Sequence, residues 1–155
     1  MAGDTLRDAF RAELLTVIAA ASPSIAWPVK DTLNTSEMPA PAAANAAATD
    51  QGYFEIEYMG GSEAQYTTGA PGANLHREQG QVTIRAVSRL RAGRAVRDLA
   101  ETYLRQIRTG FRSRRFAAGA GSIRITGTAP MGGGENEAGM WVESLALAYE
   151  TYNVG

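Results

Sequence analysis

The sequence predicts an α+β fold: a two-layer sandwich in which a mostly antiparallel sheet of about four to five strands is covered by two helices. Three observations lead there. Two segments gather their apolar residues on one side of a helical wheel. Several others alternate apolar and polar residues at the period of a strand. The links between consecutive strands are glycine-rich, which favours antiparallel pairing. Alternating strands bury one face of a sheet, and two one-faced helices suffice to cover it. The 155 residues make a single domain, 1–155, long enough to bury a core without staples.

The first helix spans residues 5–21. Thr5-x-x-Asp8 reads as a capping box, and Leu6, Phe10, Leu14, Val17, Ile18 and Ala21 fall within about 120° of arc. Pro23 and Ser24 stop it. Ile25-Ala-Trp27-Pro28-Val29 is a short extended piece, because the residue before a proline is pushed out of the helical region. Residues 36–50 are alanine- and proline-rich, with no large apolar side chain except Met38, so a surface loop that tolerates shortening is expected. In the strand 53–59, Phe54, Ile56 and Tyr58 point one way and Glu55 and Glu57 the other. Residues 60–76 form a flexible connection or a protruding hairpin. The strand 78–88 then repeats the alternation with Val82, Ile84 and Ala86.

The second helix, residues 92–112, is about 30 Å long at 1.5 Å per residue. Ala95, Val96, Leu99, Ala100, Tyr103, Leu104, Ile107 and Phe111 occupy half of its wheel. Arg94, Arg97, Glu101, Arg105, Arg108 and Arg112 share an arc of about 80° on the opposite side. A short strand, 122–128, and a long one, 139–152, complete the domain, joined by a flexible loop at 129–139. In the last strand Trp141, Leu145, Leu147 and Tyr149 share one parity.

Composition excludes more than it names. With no cysteine, a disulfide framework, a thiolate metal site and a cysteine nucleophile all fall away. The single histidine, His76, excludes a multi-histidine zinc site, and beside Arg77 in a loop it reads as a surface residue. No Gly-x-Ser-x-Gly elbow accompanies the serines. Gly132-Gly133-Gly134 lacks the lysine and the strand–loop–helix setting of a phosphate loop, and reads as hairpin flexibility. Glu55/Glu57 and Glu135/Glu137 have the i,i+2 spacing of solvated carboxylates as readily as of metal ligands. The expectation is a protein that is not an enzyme and holds no cofactor or metal. No apolar run reaches the roughly 20 residues of a membrane span, and the first residues lack the order of a signal peptide, so a cytoplasmic protein is expected.

The formal net charge of −1 conceals a division. Residues 1–76 carry three basic and nine acidic side chains, a net of −6, whereas residues 77–124 carry twelve arginines and three acids, a net of +9. Residues 125–155 add four acids and no base, a net of −4. Fourteen of the fifteen basic residues are arginine, as a GC-rich coding bias would produce, but bias does not explain their concentration in one third of the chain. Arg89, Arg91 and Arg94 at one end of the long helix, and Arg112, Arg114 and Arg115 at the other, extend its basic face into a candidate continuous stripe. Three readings of that stripe stand open: a subunit interface, a solvated face with i,i+4 ion pairs, and a surface near nucleic acid.

A further pattern is carried by particular residues. The leading helix is followed by Ile-Ala-Trp-Pro and an extended strand, then Tyr66-Thr-Thr-Gly69 and Arg77-Glu-Gln-Gly80-Gln-Val82-Thr-Ile84. A turn with Gly93 enters an amphipathic helix ending near Phe111, and a late strand holds Trp141. This resembles the tail terminator (tail completion) proteins of long-tailed bacteriophages and of phage-like gene transfer agents, over residues 6–152. Val29 departs from the asparagine expected in relatives after Trp-Pro, and the stretch at 36–50 is longer than the family needs.

The resemblance implies a small antiparallel sheet packed with helices. It also implies a structural virion protein: a homohexameric ring that caps the tail tube, ends its polymerisation and joins the tail to the head's neck. The partners implied are further copies of the chain, the tail tube protein and a head–tail connector or stopper. DNA would pass through the ring without sequence-specific binding, and no membrane is involved. Such a protein would sit at the head–tail junction of the virion, and in the host cytoplasm during assembly. Candidate interface or lumen residues are then Arg77, Arg89, Arg91, Arg94, Arg97, Arg105, Arg108, Arg112, Arg114, Arg115, Glu135 and Glu137. Two alternatives remain: another junction protein, such as a stopper or adaptor subunit, and a small basic nucleic-acid-binding module.

Overall fold

The apolar arcs and alternating strands assemble as expected into an α+β sandwich. The computed structural model describes residues 3–30, 52–65, 75–89, 94–119, 121–136 and 139–154. In chain order these form α1 (Gly3–Ala19), β1 (Gly52–Gln65), β2 (Leu75–Arg89), α2 (Arg94–Phe111), β3 (Arg115–Ala118), β4 (Gly121–Glu135) and β5 (Met140–Val154). The sheet is antiparallel throughout, in the order β1-β2-β5-β4-β3.

Both helices supply one face of the core. Leu6, Phe10, Leu14 and Val17 of α1, with Val96, Ala100, Tyr103, Leu104, Ile107 and Phe111 of α2, are buried against Phe54, Ile56, Val82, Ile84, Leu145, Leu147 and Tyr149 of the sheet. Phe10 stands edge-on to Phe116 and Tyr149, with ring centroids 5.2 and 5.4 Å away, the geometry that aromatic quadrupoles favour. The sheet's other face has a smaller cluster, Tyr53, Val87 and Met140 with Val142 beside them, of which Tyr53, Val87 and Val142 lie in register across three strands.

Several expectations need correction. The extended piece 25–29 is no strand: it makes one parallel bridge, Val29 to Phe54, through Lys30 N–H to the Phe54 carbonyl and Phe54 N–H to the Pro28 carbonyl, each 2.8 Å. Its buried residues are Ile25 and Trp27, the latter 5.3 Å from the Tyr103 ring and 5.8 Å from that of Phe54. Strand β3 is too short for alternation to reveal it. Thr5 lies inside α1 and is not its cap.

Of the two readings of 60–76 the hairpin holds, since Ser62–Gln65 pair with His76–Gln79, but His76 lies in a ladder and not in a loop. Likewise most of 129–139 is strand: Ala129 to Glu135 pair with Ala146 to Trp141, and Asn136 N–H donates to the Met140 carbonyl at 2.8 Å. Low strand propensity is overridden there by the long partner β5. Two irregularities, at Ile125/Gly127 and Pro130/Gly132, absorb the mismatch, and Gly132 takes the positive φ of 78° that such a bulge demands. Residues 36–50 and 66–74, with Arg91 and Glu137, lie outside the described residues.

Candidate functional site

The α2 arginines do not stand wholly opposite the core; their arc abuts the buried one. Arg97 and Arg108, at its border, are half-buried and reach onto the sheet. The Arg97 guanidinium lies over the Trp141 ring, 5.0 Å from its centroid, and Trp141 Nε1 donates to Glu143 Oε1 at 2.9 Å. Arg108 Nε donates to Thr128 Oγ1 of β4 at 3.1 Å. The outer members pair along the helix: Arg105 with Glu101 at 3.1 Å and Arg94 with Asp98 at 3.9 Å, both well exposed. Such exposed i,i+4 pairs contribute at most about 0.5 kcal/mol. Arg105 and Arg108, with Glu101, Leu104, Pro130 and Glu143, line a cleft of about 160 Å³ between helix and sheet.

Beyond α2 the chain turns through Ser113, at φ 57°, and the arginines part company. Arg112 is exposed. Arg114 turns inward to ion-pair with Glu13 of α1, a carboxylate only 15% exposed, and also donates to the Gly110 carbonyl at 3.5 Å. It thereby ties the chain just beyond α2 to α1, and nearby a cleft of about 420 Å³ opens between Val17, Ala21 and Arg105. Arg115 opens β3 on the opposite face of the sheet, because the next residue, Phe116, points into the core.

Arg77 lies on that far face too, in register with Tyr152 and Ala64. Arg89 ends β2 opposite Met140, and Glu135 is exposed opposite Trp141. The expected continuous stripe is therefore divided: the α2 group lies on one side of the sheet, and Arg77 and Arg115 on the other.

The far face holds ion pairs that the sequence reading missed. Arg85 meets Glu55 at 3.6 Å and also ion-pairs with Glu57, while Arg124 meets Glu150 at 3.4 Å. Burial pushes the Glu55 carboxyl above the ordinary glutamate value, and Arg85 only partly offsets this. Burial likewise raises the Tyr149 phenol, with the Glu78 charge adding to it. The alternation of β1 and β2 already put Glu55, Glu57 and Arg85 on non-core faces; what was missing was the register that sets Glu55 opposite Arg85. Glu55 and Arg85 border a shallow cleft of about 460 Å³ that runs to Met131–Asn136. Among the described residues no group of three or more His, Asp or Glu side chains could hold a metal ion, and no helix is long and apolar enough to cross a membrane.

No family model and no curated protein matches this chain. Five solved chains do. One of them, whose name states no activity, superposes with a TM-score of 0.62 over 97% of this chain and 96% of its own, at 19% identity. A likeness at that identity shows the fold, a two-layer α+β sandwich, and says nothing of activity.

Proposed function

We propose that this chain is the subunit of a tail terminator ring, capping a tail tube and joining it to the neck of a virion. The observation that carries the reading is where the motif residues of the resemblance fall. Arg77 to Ile84 lie in one continuous strand, β2, which runs between β1 and β5 and leads towards α2, and Gly80 is held there by the Tyr149 ring, which leaves no room for a side chain. The disposition of the arginines supports an assembly role over phosphate binding. Arg97, Arg108 and Arg114 are each held by partners on other elements, which withdraws these three from the salt-dependent attraction of a nucleic-acid backbone.

The test is co-purification with the tail tube protein encoded beside this chain's gene, followed by electron microscopy. Rings seated on tube ends, six subunits each, are expected. Binding to the neck side alone would identify a stopper or adaptor subunit. Steep salt-dependent DNA binding by an isolated monomer would favour the nucleic-acid reading.

A further inference from the structure

The outer edge of β4 is covered for only a few residues. β3 pairs with Gly121 to Arg124, and Ile125 N–H donates to the Arg114 carbonyl at 2.8 Å. From Thr126 to Glu135 no described strand lies on that side, and every residue except Thr128 is exposed. An open row of N–H and C=O groups is a template for another strand. Proteins commonly blunt such edges with charge, yet no charged side chain occurs between Arg124 and Glu135; Pro130 and two bulges are the interruptions.

Among the described residues the opposite border of the sheet is open as well. The Pro28–Lys30 segment covers β1 at Phe54, and no described strand lies beyond Glu57. Met59 and Met131, the two most exposed large apolar residues described, sit on these two edge strands, at 49% and 59% exposure. Strand direction alternates along β1-β2-β5-β4, so β1 and β4 run antiparallel to each other. A second copy in the same orientation therefore presents its β1 antiparallel to the first copy's β4, the pairing used by every other neighbour in the sheet.

We infer that Thr126–Glu135 of β4 is a strand-pairing interface between copies of this chain, and that it receives the Glu57–Gln65 half of β1 from the neighbour. The join is head-to-tail, using two different surfaces, and such joins close into rings when the rotation permits. The inference names the contact of the proposed ring, and only its closure rests on that reading. Pairing through the backbone also accounts for a strand of glycine, alanine and proline, since no side chain need fit a pocket.

The chain has no cysteine, which makes the test clean. Met59→Cys and Met131→Cys, which this pairing brings within two residues of each other across the join, are prepared singly, each checked for native circular dichroism, and treated with a short bismaleimide at the highest soluble concentration. The expected result is a cross-linked dimer from the mixture that neither variant gives alone. No dimer, or dimers from Met131→Cys alone, overturns the interface. Native mass spectrometry of the unmodified chain separates the two ideas. A closed hexamer without the mixed cross-link keeps the ring and removes this contact. Open chains of varied length with the mixed cross-link keep the contact and remove the ring.

Discussion

Arg105 and Arg114 carry the same guanidinium nine residues apart in one basic segment, and the surroundings give them different work. Arg105 and Glu101 are 69% and 62% exposed and one helical turn apart. Arg114 is 36% exposed and holds the 15% exposed Glu13. Arg105→Ala is therefore expected to change unfolding free energy by less than about 0.5 kcal/mol. Arg114→Ala leaves a largely buried carboxylate without its partner and is expected to cost about 1–3 kcal/mol, as read by urea denaturation. Equal effects at the two sites would contradict this account. The helical wheel showed that Arg105 faces outward. It held no sign of the Arg114–Glu13 pair, whose members are 101 residues apart.

At the scale of elements, the helices were the most legible, because each carries its own buried arc. Strand parity was equally plain in β1, β2 and β5, where Phe54, Val82 and Leu147 all reach the core as their alternation requires. The glycine-rich stretches were not legible, since a side chain that is absent has no periodicity. Gly80 shows what such a position does: a β-carbon there would lie 2.6 Å from Tyr149 Oη and 2.8 Å from its Cζ. The ring is buried, so Gly80→Ala must spread β2 from β5 or force Tyr149 to tilt within the core. A loss of about 1–3 kcal/mol is expected, with a lower thermal midpoint and altered tyrosine near-ultraviolet dichroism. An unchanged midpoint would mean that the pair is looser than described. Gly133 is packed in the same way, under Glu143 and Trp141, so the triplet read as flexibility includes a close contact.

At the scale of the whole molecule, one titration reports on the far face of the sheet. Burial outweighs the pull of Arg85, so the folded chain holds the Glu55 proton more tightly than the unfolded chain, whose ordinary value is 4.5. The stabilisation this brings is complete below that ordinary value and is lost as pH rises to the raised folded-state value. Glu55→Gln does not titrate, and is expected to gain stability relative to the parent chain between about pH 4 and pH 7 in paired urea titrations. A shift in the parent's favour would show that Arg85 dominates. The sequence by itself determined the class of fold, the faces of both helices and the parity of the main strands, because each is a local periodicity carried by neighbouring side chains. Only the tertiary structure decided the strand order, the register that sets Glu55 on Arg85, the division of the arginines between two faces and the strand drawn from a glycine-rich stretch. All of these depend on backbone pairing between distant residues, and such pairing leaves no period in the chain that makes it.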